Sequence, residues 1–217
     1  LTKHQWMLLD LDGTLTDSAS GIINCIEYAL QKSGLAIPPR QRLYAWLGPT
    51  LHQSLNSHLN LQGEAADQVV ANYRERFSEV GWKENALYPQ ALPLLEGLAA
   101  RGYRMALATG KPEVFAVKIL EHFGVARFFQ HIDGTDFDGP RRQKEDVIQH
   151  IFQKTNAEAQ HSLMIGDRSD DLRAAAHFGV EAVGVQWGYA QPGELEAWPH
   201  ALLAQTPDAI FRFLDVR

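Results

Sequence analysis

The sequence predicts an α/β protein: a mainly parallel sheet flanked by helices, with an all-helical segment inserted after the first strand. Three observations predict it. The apolar run Met7-Leu8-Leu9 ends at Asp10-Leu11-Asp12-Gly13-Thr14, as a strand buried on both faces ends at its carboxyl edge. Between residues 16 and 84 helical spacing is continuous and no strand pattern is evident. From about residue 85 onward, short apolar runs alternate with helical ones, the pattern of repeated βα units. The expected division is therefore a core of 1–15 and 85–217 and a helical domain of 16–84.

Taken in order, Thr16-Asp17-Ser18 forms a helix-capping cluster ahead of Ile22, Ile23, Ile26, Ala29 and Leu30, and the helix should stop near Ser33-Gly34. Pro38-Pro39 opens a second helix with Leu43, Tyr44, Trp46 and Leu47 on its apolar side, broken by Gly48-Pro49-Thr50. Residues 51–59 and 65–80 read as two more helices. In the core part, helices are expected at 92–100, 113–123, 144–153, 172–178, 192–196 and 210–216. Strands are expected at 103–108, 128–132, 163–165 and 180–185, with a polar loop at 133–140.

Composition narrows the function. Charged residues make up 21% and the net charge is −6, which argues against nucleic acid or an anionic membrane surface as the main partner. The single Cys25 excludes an internal disulfide and reads as core. No apolar run approaches membrane-spanning length, and a cytoplasmic location is the expectation.

The strand ends carry the chemistry. Asp10 and Asp12 alternate with Leu11, so continued extension sends both carboxylates the same way. Like charges that close are costly unless a cation lies between them. Thr109-Gly110 offers a hydroxyl and backbone N–H groups at a helix start, a natural anion site. Lys144 opens a helix, where a cation opposes the helix dipole and so hints at a nearby anion. Arg141 and Arg142 compete for that role on spacing alone. Asp167, Asp170 and Asp171 crowd one strand-to-helix turn, more carboxylates than a cap requires. If these strands are neighbours, the carboxylates hold Mg²⁺ and Thr109 with a basic residue holds an anion, for which phosphate is the expectation. Asp10 is then placed as nucleophile and Asp12 as proton donor.

In order and spacing, Asp10-Leu-Asp12-Gly-Thr-Leu-Thr-Asp17, Thr109, Lys144 and Gly166-Asp167-Arg168-Ser169-Asp170-Asp171 resemble the four motifs of the haloacid dehalogenase superfamily. The branch most similar is that of phosphoglycolate-phosphatase-like members, through Gly184-Val-Gln-Trp-Gly-Tyr189 and the loop Gly48-Pro-Thr-Leu51. The resemblance implies a Rossmann-like core with a helical cap, and a Mg²⁺-dependent phosphatase working through an aspartyl-phosphate on Asp10. It implies Asp12 as general acid and base, with its backbone carbonyl on the metal. Asp10, Asp12 and Asp167 would be the metal residues, and Asp171 would orient the metal site through water or Lys144. Thr109, Gly110 and Lys144 would bind the phosphoryl group. The chain departs from many relatives in having Gly110 where Asn is frequent and Gln143-Lys144-Glu145 where Lys-Pro is frequent.

The substrate expected is a small phosphorylated metabolite, with phosphoglycolate first and 5′-nucleotides or pyrophosphate as alternatives. A phosphomutase or phosphotransferase would keep every motif, and a non-catalytic phospho-ligand-binding protein is the alternative from another class. Trp46, Tyr44 and Trp82 are candidate stacking partners for a base, and Arg40, Arg42, His52 and Gln53 are candidate polar contacts near the 48–51 loop. The sequence leaves the oligomeric state open.

Overall fold

The computed structural model describes residues 3–137 and 139–216 and divides into two compact units, residues 1–17 with 87–217 and residues 18–86. The chain passes between them at two short paired strands, β2 (Thr16–Asp17) and β3 (Ala86–Leu87). Thr16-Asp17 is thus extended rather than part of a helix cap, and a strand does occur inside the stretch expected to lack one.

The larger unit is built on β1 (Trp6–Leu9), β4 (Arg104–Pro112), β5 (His131–Thr135), β6 (Ser162–Gly166), β7 (Glu181–Val185) and β8 (Leu202–Ala204). They form one parallel sheet in the order β5-β4-β1-β6-β7-β8. β1 lies in the interior, with Leu8 opposite Ala106 on one side and Met164 on the other. Its four residues are all buried because both sheet faces are covered. Trp6 and Leu8 join a core with Val147, Ile148 and Ile151 of α7 (Lys144–Thr155) and Leu172, Ala174 and Ala175 of α8 (Ser169–Phe178). Alternation sends Met7 and Leu9, both fully buried, to the opposite face. The helices α5 (Ala91–Ala100), α6 (Glu113–His122) and α9 (Pro207–Asp215) complete the unit.

Four expectations need correction here. β4 continues through Thr109-Gly110-Lys111 to Pro112, so Thr109 is a strand residue and Pro112, not Thr109, precedes α6. β5 lies at 131–135 rather than 128–132, because Ala126–Phe128 form a 3-10 turn; the expected 133–140 loop therefore begins late, and its residue Asp138 is outside the described residues. β8 follows β7 at the sheet edge, where 180–185 had been the last strand expected. Residues 192–196 form turns instead of a helix.

The smaller unit holds α1 (Ala19–Lys32), α2 (Arg40–Leu43), α3 (Leu51–Leu59) and α4 (Gly63–Glu79). Ile23, Ile26, Leu30, Leu55 and Val69 are buried. Cys25 is fully buried, and Arg76 donates to its sulfur at 3.1 Å while pairing with Glu84 at 2.8 and 2.9 Å. The second helix is short: α2 gives way to a 3-10 turn at Tyr44–Trp46, which buries Leu43, Trp46 and Leu47 but leaves Tyr44 half exposed. Trp46 stacks on the exposed ring of His58. Thr50 caps α3 in a reciprocal pair with Gln53, His52 pairs with Asp67, and Arg40 pairs with Glu27. None of the described helices is long and apolar enough to cross a membrane.

Candidate active site

After β1 the chain makes one further ladder bond, Asp10 N–H to the Ile165 carbonyl at 3.0 Å, then folds back over itself. The Leu11 carbonyl accepts from the N–H groups of Thr14, Leu15 and Thr16, with Leu11 and Leu15 fully buried as anchors. Gly13 makes this loop possible. Its φ is +88°, and a Cβ there would lie 2.1 Å from Asp167 Oδ2. Gly13→Ala is therefore expected to destabilise the fold by about 1–3 kcal/mol. Denaturant melts check this; an unchanged midpoint would mean that Asp167 can move aside freely.

Three elements bring charges together beside that loop. Asp10, Asp167 and Asp171 each present a carboxylate oxygen within 4.8 Å of the others, and all three are buried. Lys144, the first residue of α7, lies among them. Its ammonium is 3.0 Å from Asp10 Oδ1 and donates a hydrogen bond to Asp171 Oδ1. The contact with Asp10 falls outside hydrogen-bond geometry, so Oδ1 is a buried carboxylate oxygen without a hydrogen-bond donor. Asp171 also accepts the Arg168 N–H at 3.0 Å and so caps the start of α8. Asp167 accepts from Thr14 Oγ1 at 3.2 Å and from the Tyr189 N–H at 2.7 Å.

The electrostatics follow from burial. Desolvation pushes Asp167 well above the usual carboxylate range, with Asp171 and Asp10 adding to the rise. It pushes Asp171 up to about 7, against the opposing pull of Lys144. Burial alone would lower Lys144, but the carboxylates of Asp10 and Asp171 outweigh it and hold the ammonium charged. Three buried acids face one buried base, and the all-oxygen donor set suits a hard cation.

Asp12 is not in that cluster through its carboxylate. Its Oδ2 lies 2.6 Å from the ammonium of Lys111. Thr109 is buried on the same stretch of β4, and its hydroxyl accepts the Lys111 N–H at 3.2 Å. Gly110 lies on the exposed side of the strand, and its carbonyl accepts from Thr135 at 2.9 Å. Of the three basic residues that spacing left open, Lys144 is the one among the carboxylates. Arg141 is tied to Glu113, Asp133 and Asp136, and the Arg142 side chain reaches the Gly139 carbonyl. Asp170 is half exposed and pairs with Arg173 at 3.0 Å, whereas Asp171 is fully buried.

Two residues escaped the sequence reading. Lys111 had a signal, since period two from Thr109 puts it on the same side of an extended strand. Glu194 had none. Its Oε1 accepts from Arg168 Nε at 2.7 Å and from the Ser169 N–H and hydroxyl at 2.9 Å, and its Oε2 accepts the Gln191 N–H at 2.9 Å. It thereby fixes the turn that carries Asp167 and Asp171. The 184–189 stretch closes the loop from another side. Trp187 donates to the Thr14 carbonyl at 3.0 Å, and Gly188 lies so close that a Cβ would be 2.3 Å from the Gly13 carbonyl oxygen.

Residues 7–185 match the family model described as haloacid dehalogenase-like hydrolase. A 5′-nucleotidase from Pseudomonas aeruginosa is 40% identical over 195 residues, covering 90% of this chain and 88% of that protein. The tyrosine-protein kinase PtkA of Mycobacterium tuberculosis is 39% identical over 187 residues, covering 86% of this chain but 64% of that longer protein. A phosphoglycolate phosphatase from Yersinia pseudotuberculosis is 32% identical over 196 residues, covering 88% and 84%. Among solved structures, a predicted phosphatase from Clostridium acetobutylicum superposes with a TM-score of 0.92 at 33% identity over 99% of both chains. The chain belongs to the haloacid dehalogenase-like hydrolase family.

Proposed function

We propose that the chain is a Mg²⁺-dependent phosphatase that cleaves small phosphate monoesters by passing the phosphoryl group to Asp10. The observation that carries this is the buried trio Asp10, Asp167 and Asp171 around Lys144 at the carboxyl edge of a parallel sheet. The residues fit a divalent metal: the donors are all oxygen, the carboxylates outnumber the ammonium, and Asp10 Oδ1 has no hydrogen bond. Asp10 and Asp167 would hold the ion together with the Asp12 backbone carbonyl. When bound, Mg²⁺ supplies positive charge against the transferring phosphoryl oxygens. Lys144 adds a second charge there and is kept in place by Asp171. Thr109 supplies a hydroxyl, and Gly110 a backbone N–H, to the same group. Asp12 gives a proton to the departing oxygen and takes one from the water that frees Asp10. The catalytic contribution of the fold is positioning and charge, which is what phosphoryl transfer requires.

Among substrates we place nucleoside 5′-monophosphates ahead of phosphoglycolate, reversing the order expected from the sequence. The support is the 5′-nucleotidase relative, more similar to this chain than the phosphoglycolate phosphatase and covered to nearly the same extent. The helical unit 18–86 would act as the cap that selects among them.

The test is phosphate release from nucleoside monophosphates, phosphoglycolate, pyrophosphate and sugar phosphates, with Mg²⁺ and with a chelator. Mg²⁺-dependent release is expected, fastest on a 5′-nucleotide. A preference for phosphoglycolate restores the first order. No release from any ester sinks the hydrolase reading and favours transfer to a second substrate.

A further inference from the structure

β4 does not end where its apolar run ends. It carries on through Thr109-Gly110-Lys111-Pro112, with a register shift against β5 between Ala108 and Pro112. Alternation along this extension turns Thr109 and Lys111 to the buried side and Gly110 to the exposed one. The Lys111 side chain is 5% exposed, and its ammonium lies 2.6 Å from Asp12 Oδ2. Thr16 Oγ1 reaches the other oxygen, Oδ1, over a long 3.4 Å. Burying an ammonium is costly even when it is paired, so an uncharged side chain would serve packing better at this position. A buried lysine held on a proton-transfer residue points to use of its charge.

We propose that Lys111 is a positioning residue for Asp12: it pins Oδ2 so that Oδ1 is the oxygen that carries the proton. The inference rests on the phosphatase reading of Asp10 and Asp12. In the first step an Asp10 oxygen bonds to phosphorus as the bond from phosphorus to the leaving oxygen breaks. The proton on Asp12 Oδ1 passes to that oxygen, which departs as a neutral alcohol. In the second step water bonds to phosphorus and gives a proton to Oδ1, and the bond from phosphorus to Asp10 breaks to return the carboxylate. Lys111 takes no part in the proton transfer and supplies only direction. Thr109 and Lys111 share one strand and the bond from the Lys111 N–H to the Thr109 hydroxyl, so β4 sets a phosphoryl contact and the proton donor together.

A positioning role for the proton donor leaves a signature that a packing role does not. An alkyl phosphate needs its leaving oxygen protonated, whereas p-nitrophenyl phosphate releases a stable phenolate and does not. Lys111→Met keeps the bulk and removes the charge. It is expected to lower kcat/KM by about 30-fold on an alkyl phosphate and by less than about 3-fold on p-nitrophenyl phosphate. Lys111→Arg should restore part of the turnover of the alkyl phosphate, and Asp12→Asn should show the selective loss more strongly. The ratio of the two esters is read in one preparation, so partial unfolding of a variant does not affect it. Equal losses on both esters in Lys111→Met, with Asp12→Asn still selective, would overturn the role of Lys111 and leave the phosphatase reading intact. Equal losses in Asp12→Asn as well would overturn both.

Discussion

Asp10→Asn is expected to lower phosphate release by about 10⁴-fold or more while leaving the fold as stable as the wild type, or more stable. The amide has the shape of the carboxylate but is not a nucleophile toward phosphorus. It also removes the carboxylate charge that raises both Asp167 and Asp171. With less repulsion to carry, the metal-free variant should melt at or above the wild-type temperature. The two readouts together separate a nucleophile from a structural residue. Lost activity accompanied by a large drop in melting temperature would assign Asp10 a mainly structural role, and retained activity would remove it from the reaction.

The second large effect is on stability, and it depends on pH and metal together. In the metal-free protein Asp171 holds its proton up to about pH 7, against 3.8 for an ordinary Asp, and Asp167 is shifted the same way. Between those limits the folded chain keeps protons that the unfolded chain has released. Raising pH through that window therefore favours unfolding, by on the order of 4 kcal/mol at most for Asp171. Below the ordinary Asp value the effect is absent, and above the raised one it is complete. A divalent cation needs the carboxylates ionised and so counters the loss where it is greatest. Mg²⁺ is expected to raise the melting temperature by about 5–10 °C at pH 8 and by less than about 2 °C at pH 5.5. The same increment at both values would show that the carboxylates are ionised without the metal.

How much of this was legible depends on whether the signal was local. The β1 strand and its Asp-rich end were readable because an apolar run, two spaced acids and a glycine all lie within a few residues. The stops of α1 and α8 were readable because Gly34 and Gly179 take left-handed backbone, which glycine adopts without strain. The true length of β4 was hidden because Thr-Gly-Lys-Pro looks like a strand breaker, and its pairing to β5 across a register shift is a tertiary fact. That hid Lys111 as well. The short edge strand β8 pairs over three residues, too few to show a period. Residues 192–196 looked helical, yet Glu194 spends its carboxylate on Arg168, Ser169 and Gln191, which holds a turn there. The roles of Asp170 and Asp171 could not be separated by spacing, since one faces Arg173 near solvent and the other faces Lys144 in the interior.

The position of β1 inside the sheet also bears on how the chain matures on the ribosome. Its two hydrogen-bonding neighbours, β4 and β6, are encoded about 100 and about 155 residues downstream, so both edges of a wholly apolar strand wait through much of translation. The inserted residues 18–86 end about 18 residues ahead of β4, so the sequence for their own contacts is made first. A nascent chain halted ahead of β4 would therefore carry a finished helical unit behind a sticky, unpaired segment. Such a chain is a natural client for chaperones that cover extended apolar strands, and slow passage through the 104–112 codons is the point at which aggregation should be greatest.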